Sequence, residues 1–338
     1  MVRVLIAGLV AMVIAVVIGP AFIDWLRRRG VGQQIRAEGP AGHTVKQGTP
    51  TMGGLLILFA TLAPFLVLSV HTLSGFTVMG VALGCGLIGF LDDFLKVRRR
   101  RSLGLPGRWK MALLLAVTVG MAVAINHIDG VDTKLYFPIV DWHVNLSYAF
   151  YPFLFLVIAG TVNGVNLTDG VDGLAAGTSI ISLMTFVAIA IISWIRSNPV
   201  PGHRSNTSLD LAIFGAALIG GTIGFLWFNA HPAEVFMGDT GAMALGGALA
   251  AFAVLTKTEV LLVFIGGIYA VEALSVIIQV VSFKRTGRRV FLMAPIHHHF
   301  EMKAWSEAKI MVRFWIVCAI LCAIGFVLYY RYYLRFRL

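Results

Sequence analysis

Five aspartates fall in three short polar segments, each at a point where an apolar stretch of the chain ends or begins. They are the adjacent pair Asp92 and Asp93, the pair Asp169 and Asp172, and the single Asp239. An acid inside a membrane span costs about 2.5–3.5 kcal/mol or more at the centre, so acids kept near that depth usually mark a functional site. Carboxylate oxygens are also the ligands that Mg²⁺ prefers. These aspartates therefore indicate a site for a hard cation and a phosphate-bearing substrate.

Each of these segments also has a simpler structural interpretation. The pair at 92–93 could be a solvated helix end that is neutralised by Lys96 and the arginines after it. Residues 163–174 are rich in Asn, Asp and Gly, which is typical of an ordinary turn between two helices. Asp239 precedes an apolar stretch and could be the N-cap of a helix. The length of the polar segment 163–174 favours a binding role over a plain turn.

Two further segments carry residues that could bind phosphate. His297, His298 and His299 are consecutive, so they cannot all face one point on a helix, and we predict that they lie on a loop. Imidazoles there could bind phosphate, shuttle protons or hold a transition metal, but the carboxylates elsewhere favour Mg²⁺. Lys46 and Thr51 stand beside a Gly pair at a helix entrance, where side chains and backbone N–H groups could hold phosphate. The order of Lys and Gly does not fit the nucleotide-binding P-loop.

The hydropathy of the chain predicts the elements that must hold these residues. The 338 residues are 58% hydrophobic and 13% charged, against about 25% charged residues in soluble domains. The apolar residues gather in ten blocks of roughly membrane-spanning length. These blocks cover residues 4–23, 53–70, 76–91, 111–126, 147–163, 177–195, 211–229, 241–256, 259–283 and 312–330. We predict an all-α polytopic membrane protein with ten transmembrane helices in a single integral-membrane domain, residues 1–338.

The distribution of Lys and Arg predicts the orientation of these helices. With ten helices, both termini lie on one side of the membrane. The segments 25–52, 92–110, 164–176, 230–240 and 284–311 together hold 18 Lys and Arg residues, and the opposite segments with the termini hold eight. The positive-inside rule then places the first set in the cytoplasm and both termini outside, with an external loop or short hairpin at 127–146. Topology accounts for most of the net charge of +11, so no nucleic-acid partner is needed.

Together the polar segments resemble the motifs of the polyprenyl-phosphate N-acetylhexosamine-1-phosphate transferases. The resemblance covers the whole chain and is carried by residues 48–54, 91–93, 166–174 and 237–241. The segment 294–301, Ala-Pro-Ile-His-His-His-Phe-Glu, resembles those members whose donor is UDP-MurNAc-pentapeptide. This implies transfer of phospho-MurNAc-pentapeptide to undecaprenyl phosphate, giving lipid I and UMP for peptidoglycan synthesis. It also implies Mg²⁺ as cofactor, a site on the cytoplasmic face of the bacterial inner membrane, and a homodimer.

The resemblance implies roles for individual residues. Asp239 matches the Mg²⁺ ligand, Asp93 would help bind metal or phosphate, and Asp92 would be the base on the lipid phosphate. His297 would be a fourth catalytic residue, on the loop over the phosphates and sugar. The substrate-binding positions would be Lys46, Thr51, Lys110, Asn166, Asp169, Asp172, Phe236, Gly238, Gln279, Ala294, His298 and His299.

Alternatives remain at this point. A relative that uses UDP-N-acetylglucosamine would share most of the motifs but differ in the histidine segment. A secondary transporter would keep ionisable residues near the bilayer midplane, where Glu272 is the one good candidate. For the transferase, the residues are compatible with direct attack by the lipid phosphate and with a covalent intermediate on a carboxylate. The largely dianionic lipid phosphate favours direct attack.

Overall fold

The computed structural model describes residues 1–32, 48–99, 101, 103–138, 140 and 142–336. This part of the chain forms helices of very different length and one β-hairpin. The helices are α1 (Val2–Arg28), α2 (Gly54–Leu68), α3 (Leu73–Arg99), α4 (Gly107–Ile125), α5 (Phe150–Thr168), α6 (Leu174–Arg196), α7 (Asn206–Asn229), α8 (Gly238–Leu255), α9 (Leu262–Ile265), α10 (Gly267–Thr286), α11 (Ile296–Glu301) and α12 (Glu307–Phe336). The antiparallel strands β1 (Lys134–Phe137) and β2 (Trp142–Asn145) form the hairpin.

Within the described residues, nine helices are long and apolar enough to cross a membrane. The prediction of a largely helical, multi-pass membrane protein is therefore confirmed, and the hairpin lies inside the segment where one was expected. The predicted span 53–70 is not among these nine, because the helix there, α2, is apolar but only 15 residues long. The predicted span 259–283 is interrupted at Gly266, where the single turn α9 ends and α10 begins.

One helix differs from its predicted bounds in a way that matters for the site. The apolar block ends at residue 91, but α3 remains helical to Arg99. Asp92 and Asp93 therefore lie on the last turns of a helix and not in the loop that follows it. Because i, i+3 and i, i+4 side chains share one helix face, Lys96 lies beside both of them.

The helix α8 is the centre of the bundle. Every residue from Thr240 to Leu255 is buried, and the helix packs against α2, α3, α5 and α6. Small residues permit this close packing. At Gly89 of α3, for example, a side chain would overlap the backbone carbonyl of Asp239. The first turn of α8 is thereby pressed against the end of α3 that carries the paired aspartates.

At its other end, α8 is tied to the hairpin segment by a buried lysine. Lys257 Nζ lies 2.9 Å from Glu259 Oε1 and 3.5 Å from Asp132 Oδ1, and donates a 2.8 Å hydrogen bond to the Asp132 carbonyl. The Glu259 side chain is 1% exposed. Burial raises the pKa of Glu259, and the charge of Lys257 acts in the opposite direction. The lysine therefore offsets part of the cost of burying the Glu259 carboxylate.

We expect Lys257→Met to lower the stability of the protein by a few kcal/mol, the range for removing one partner of a buried ion pair. The unpaired carboxylate of Glu259 can escape this cost by taking up a proton. Because the pKa of Glu259 is raised in the folded protein, the penalty should shrink as the pH falls. Thermal unfolding in detergent at several pH values measures both effects.

The control is Lys303→Met, the same substitution at an exposed lysine. Equal unfolding temperatures for the two variants at neutral pH would contradict a stabilising role for Lys257.

Candidate active site

Three aspartates and two lysines meet where α3, α4 and α8 come together. Lys96 Nζ is 2.6 Å from Asp92 Oδ2 and 3.1 Å from Asp239 Oδ1. Lys110 Nζ is 3.0 Å from Asp92 Oδ1 and 2.7 Å from Asp239 Oδ2. The side chains of Asp92 and Asp93 are almost fully buried, and that of Asp239 is 15% exposed. We call these five residues the carboxylate–lysine cluster.

Within this cluster, Asp93 caps the N-terminus of α8. Its Oδ1 accepts a hydrogen bond of 3.2 Å from the backbone N–H of Asp239. Its Oδ2 accepts from the backbone N–H of Thr240 at 2.9 Å and from the Thr240 hydroxyl at 2.8 Å. These N–H groups have no partner inside a helix, and the positive end of the helix dipole also favours a carboxylate. The interpretation of Asp239 as N-cap of α8 is therefore wrong, because the capping carboxylate comes from α3.

Asp92 is held by the loop after α3 as well as by the lysines. The backbone N–H of Leu105 donates a 2.7 Å hydrogen bond to Asp92 Oδ1. The same loop leads into α4, which presents Lys110 to the cluster. Lys110, predicted as a possible phosphate contact, therefore lies beside Asp92 and Asp239. Lys96 was missed as a site residue, although its spacing from the aspartate pair would have placed it on the same helix face.

Asp169 lies just beyond α5 and next to the cluster. Burial, together with the negative charges of Asp239, Asp93 and Asp172, raises the pKa of Asp169 to about 8. A hydrogen bond from the backbone N–H of Gly238 opposes this rise. The carboxylates of these aspartates therefore lie close together, and a cation placed among them would be stabilised.

Among the residues that the structure describes, the acidic side chains form two groups that could hold a metal ion. In the first, carboxylate oxygens of Asp92, Asp93 and Asp239 all lie within 4.8 Å of one another. This is an all-oxygen set, which suits a hard cation such as Mg²⁺ better than a soft transition metal. The second group consists of Asp172, His231 and Glu307, with His231 Nδ1 2.9 Å from Asp172 Oδ2.

The segment before α2 is joined to the segment before α8. Three backbone hydrogen bonds of 2.8–2.9 Å link residues 50–54 to Phe236 and Met237. They bring Thr51 beside Gly238, whose φ of +72° is a left-handed conformation that favours glycine. A Cβ on Gly238 would also stand 2.6 Å from Asp93 Oδ2 and 2.9 Å from Thr51 Oγ1. The predicted residues Thr51, Phe236 and Gly238 therefore border the carboxylate–lysine cluster.

Other predicted binding residues lie farther along the same end of the bundle. Asn166 is in the last turn of α5, and its carbonyl accepts a hydrogen bond from the Asp169 N–H. Asp172 is buried and accepts hydrogen bonds at Oδ2 from His231 and from the backbone N–H of Ala233. Lys46 lies outside the described residues, so the structure places no contact for it.

The histidine segment is not a loop. Residues 296–301 form the short helix α11, so the three imidazoles point in different directions. His297 is fully buried, with Nδ1 3.0 Å from Glu272 Oε1. His298 pairs with Glu301, and His299 Nδ1 accepts a 3.1 Å hydrogen bond from the Leu292 N–H. The prediction of a loop was wrong because a segment of six residues is too short for helical periodicity to be read from its sequence.

Gln279 and Ala294 frame this helix. The side-chain oxygen of Gln279 accepts hydrogen bonds from the N–H groups of Val290 and Phe291, and its amide donates to the Phe291 carbonyl at 3.1 Å. Gln279 therefore fixes the connection between α10 and α11. Ala294, partly buried, stands at the end of that connection.

Comparison with known proteins gives close, full-length relatives. Residues 75–257 match the family model described as glycosyl transferase family 4, and residues 46–58 match a phospho-N-acetylmuramoyl-pentapeptide-transferase signature. The chain is similar to the phospho-N-acetylmuramoyl-pentapeptide-transferase of Desulfitobacterium hafniense, with 45% identity over 97% of this chain and 98% of the relative. The protein of that name from Geobacillus kaustophilus is 48% identical over 95% and 96% of the two chains.

We expect Gly238→Ala to lower the unfolding temperature of the protein. The added methyl group meets the oxygens of Asp93 and Thr51, and the left-handed backbone costs a non-glycine residue about 1–2 kcal/mol. The matched control is Gly80→Ala in α3, where an added Cβ meets no atom within 4 Å. Thermal unfolding of both variants in detergent makes the comparison. A Gly238→Ala protein as stable as the control would show that the entrance of α8 is not tightly packed.

Proposed function

Since the chain belongs to the phospho-N-acetylmuramoyl-pentapeptide-transferase family, we propose that it transfers phospho-MurNAc-pentapeptide from its UDP conjugate to undecaprenyl phosphate. The products are UMP and lipid I, an intermediate of peptidoglycan synthesis. The observation that supports this chemistry best is the carboxylate–lysine cluster, since both substrates carry phosphate and phosphoryl transfer is mainly positioning and charge neutralisation. The whole chain acts as one membrane-embedded transferase domain.

In this proposal Lys96 and Lys110 receive the phosphate oxygens of the substrates. Each ammonium group bridges two aspartates at 2.6–3.1 Å. Each is therefore already held in the place where the phosphate groups of the substrates would bind. Phosphate oxygens can replace carboxylate oxygens as partners of a lysine without a change in the kind of interaction. Thr51, Asn166 and Asp169 would bind the donor from neighbouring segments.

The remaining predicted positions extend the proposed donor site. The part of the donor site next to the carboxylate–lysine cluster would be lined by Phe236, Gly238 and Lys110. The part farther from the cluster would be lined by Asp172, Gln279, Ala294, His298 and His299. Lys46 belongs to the same proposal through the signature match at residues 46–58.

Mg²⁺ fits the oxygen ligands of the cluster. Asp239 and Asp93 would hold it, with Asp92 as the third carboxylate of the group. Asp239 is the least constrained of the three, because both oxygens of Asp93 also cap α8. The chemistry that a bound Mg²⁺ supplies is neutralisation of the diphosphate and of the charge that develops on the departing phosphate.

The reaction proceeds by direct attack. An oxygen of the undecaprenyl phosphate forms a bond to the β-phosphorus of the donor, and the bond from that phosphorus to the UMP oxygen breaks. Asp92 takes the remaining proton of the lipid phosphate when that phosphate is monoanionic. Its carboxylate is bound by Lys96, Lys110 and the Leu105 N–H, an arrangement that suits a positioned base better than a nucleophile that must leave these partners.

The orientation follows from charge and from the position of the cluster. The ends of α3, α5 and α7 and the beginnings of α4, α6 and α8 meet at one face of the bundle. The loops on that face carry most of the Lys and Arg residues, so we place it, and the site, in the cytoplasm. This orientation puts both termini outside and counts α2 as the tenth span.

A direct test supplies the purified protein with UDP-MurNAc-pentapeptide, undecaprenyl phosphate and Mg²⁺, and measures UMP. We expect UMP in proportion to lipid acceptor, and none without the lipid or in the presence of a chelator. UDP-N-acetylglucosamine added in excess should not compete. No UMP above the no-lipid control would refute the transferase proposal, and competition by UDP-N-acetylglucosamine would favour the alternative donor.

We expect Asp92→Asn, Asp93→Asn and Asp239→Asn each to reduce turnover by about 100-fold or more, the range for loss of a preorganised electrostatic group. Asp93→Asn should also lower the unfolding temperature more than Asp239→Asn does, since Asp93 caps α8 and Asp239 is partly exposed. In Asp92→Asn the residual rate should rise as the lipid phosphate loses its second proton, at about pH 6. The control is Asp24→Asn, at an exposed aspartate of α1. Near-normal turnover of a folded Asp239→Asn protein would exclude Asp239 as a metal ligand.

A further inference from the structure

A buried acid outside the carboxylate–lysine cluster contacts the histidine helix. Glu272 of α10 and His297 of α11 are both 0% exposed, and their side chains meet at 3.0 Å between Oε1 and Nδ1. The rest of α10 exposes apolar side chains such as Leu274, Ile277 and Val281. Glu272 is thus an ionisable residue turned inward on a helix whose other face is apolar, and its contact is with one of the predicted catalytic residues.

The second ring nitrogen of His297 has no hydrogen-bond partner among the described residues, although it is fully buried. It lies against Gly170, so closely that a side chain there would overlap it. Gly170 follows Asp169 in the polar segment that borders the carboxylate–lysine cluster. An unsatisfied buried nitrogen costs about 1–3 kcal/mol, so its orientation toward this segment needs an explanation.

Packing alone is a poor explanation for this pair. A buried ion pair or hydrogen-bonded pair is often no more stable than two apolar residues of similar volume. An apolar pair would also leave no unsatisfied nitrogen beside Gly170. The pair does, however, determine which nitrogen of the imidazole carries the proton. When Glu272 accepts the proton on Nδ1, a neutral ring has its lone pair on Nε2, the atom that faces the polar segment.

We propose that Glu272 is a positioning residue for the transfer reaction. It fixes the ring of His297 so that Nε2 accepts a hydrogen bond from an N–H or O–H group of the nucleotide-sugar donor at the 169–170 segment. This inference rests on the proposed function and adds to it a residue that contacts no substrate itself. It assigns the buried acid of α10 to donor binding and not to ion transport.

The test compares Glu272→Leu with Glu272→Gln in the assay of UMP release. Leucine fills the space but accepts no hydrogen bond, whereas the glutamine oxygen can still accept from Nδ1. We expect Glu272→Leu to lower kcat/KM for the nucleotide-sugar by about tenfold or more, the scale on which loss of a partner that orients a functional histidine lowers activity. The KM for undecaprenyl phosphate should stay within about twofold, and Glu272→Gln should recover a substantial part of the loss.

A double-variant cycle separates positioning from structure. Glu272→Leu should have no further effect on kcat/KM in a His297→Ala background, because Glu272 acts through that imidazole. Independent effects of the two substitutions, an equal loss for both substrates, or wild-type kcat/KM in Glu272→Leu would each overturn the inference. An unchanged protein that releases no UMP would instead refute the proposed function, so the two failures are distinguishable.

Discussion

Three carboxylates can share a buried place at the end of a helical bundle only if positive charge is supplied at contact distance. Lys96 and Lys110 supply it here, and each bridges Asp92 and Asp239. An isolated buried carboxylate would cost several kcal/mol. The arrangement depends on α3 remaining helical past Asp93, because only the helical spacing brings Lys96 back over the aspartates. It also depends on the start of α4, which delivers Lys110 from a different part of the chain.

Asp93 also explains how the membrane helix α8 can begin at Gly238, next to the buried end of α3. The N–H groups of the first turn of α8 need acceptors, and Asp93 provides them from a neighbouring helix. One carboxylate thus serves both the charge balance of the cluster and the position of α8. A substitution at Asp93 acts on folding and on chemistry together, whereas Asp92 and Asp239 act mainly through charge.

The residues that could be predicted from the sequence are those whose type was unusual for their surroundings. Aspartates beside apolar blocks stand out, and so do three consecutive histidines. Lys96 did not stand out, because hydropathy ended the helix at residue 91 and a lysine after a membrane span is ordinary. The N-cap of α8 could not be predicted, since its carboxylate is distant in sequence. The partner of Glu272 was equally inaccessible, because pairing with His297 depends on how α10 and α11 pack.

The central helix α8 is attached to other elements at both of its ends. Asp93 holds its first turn, and beyond its last turn Lys257 joins Asp132 and Glu259. The helix α8 is therefore held at both of its ends, and its sides are enclosed by the bundle. The outer helices α1, α4 and α12 lack this enclosure, since less than a third of each span is buried, so the bundle resists their displacement less than it resists displacement of α8.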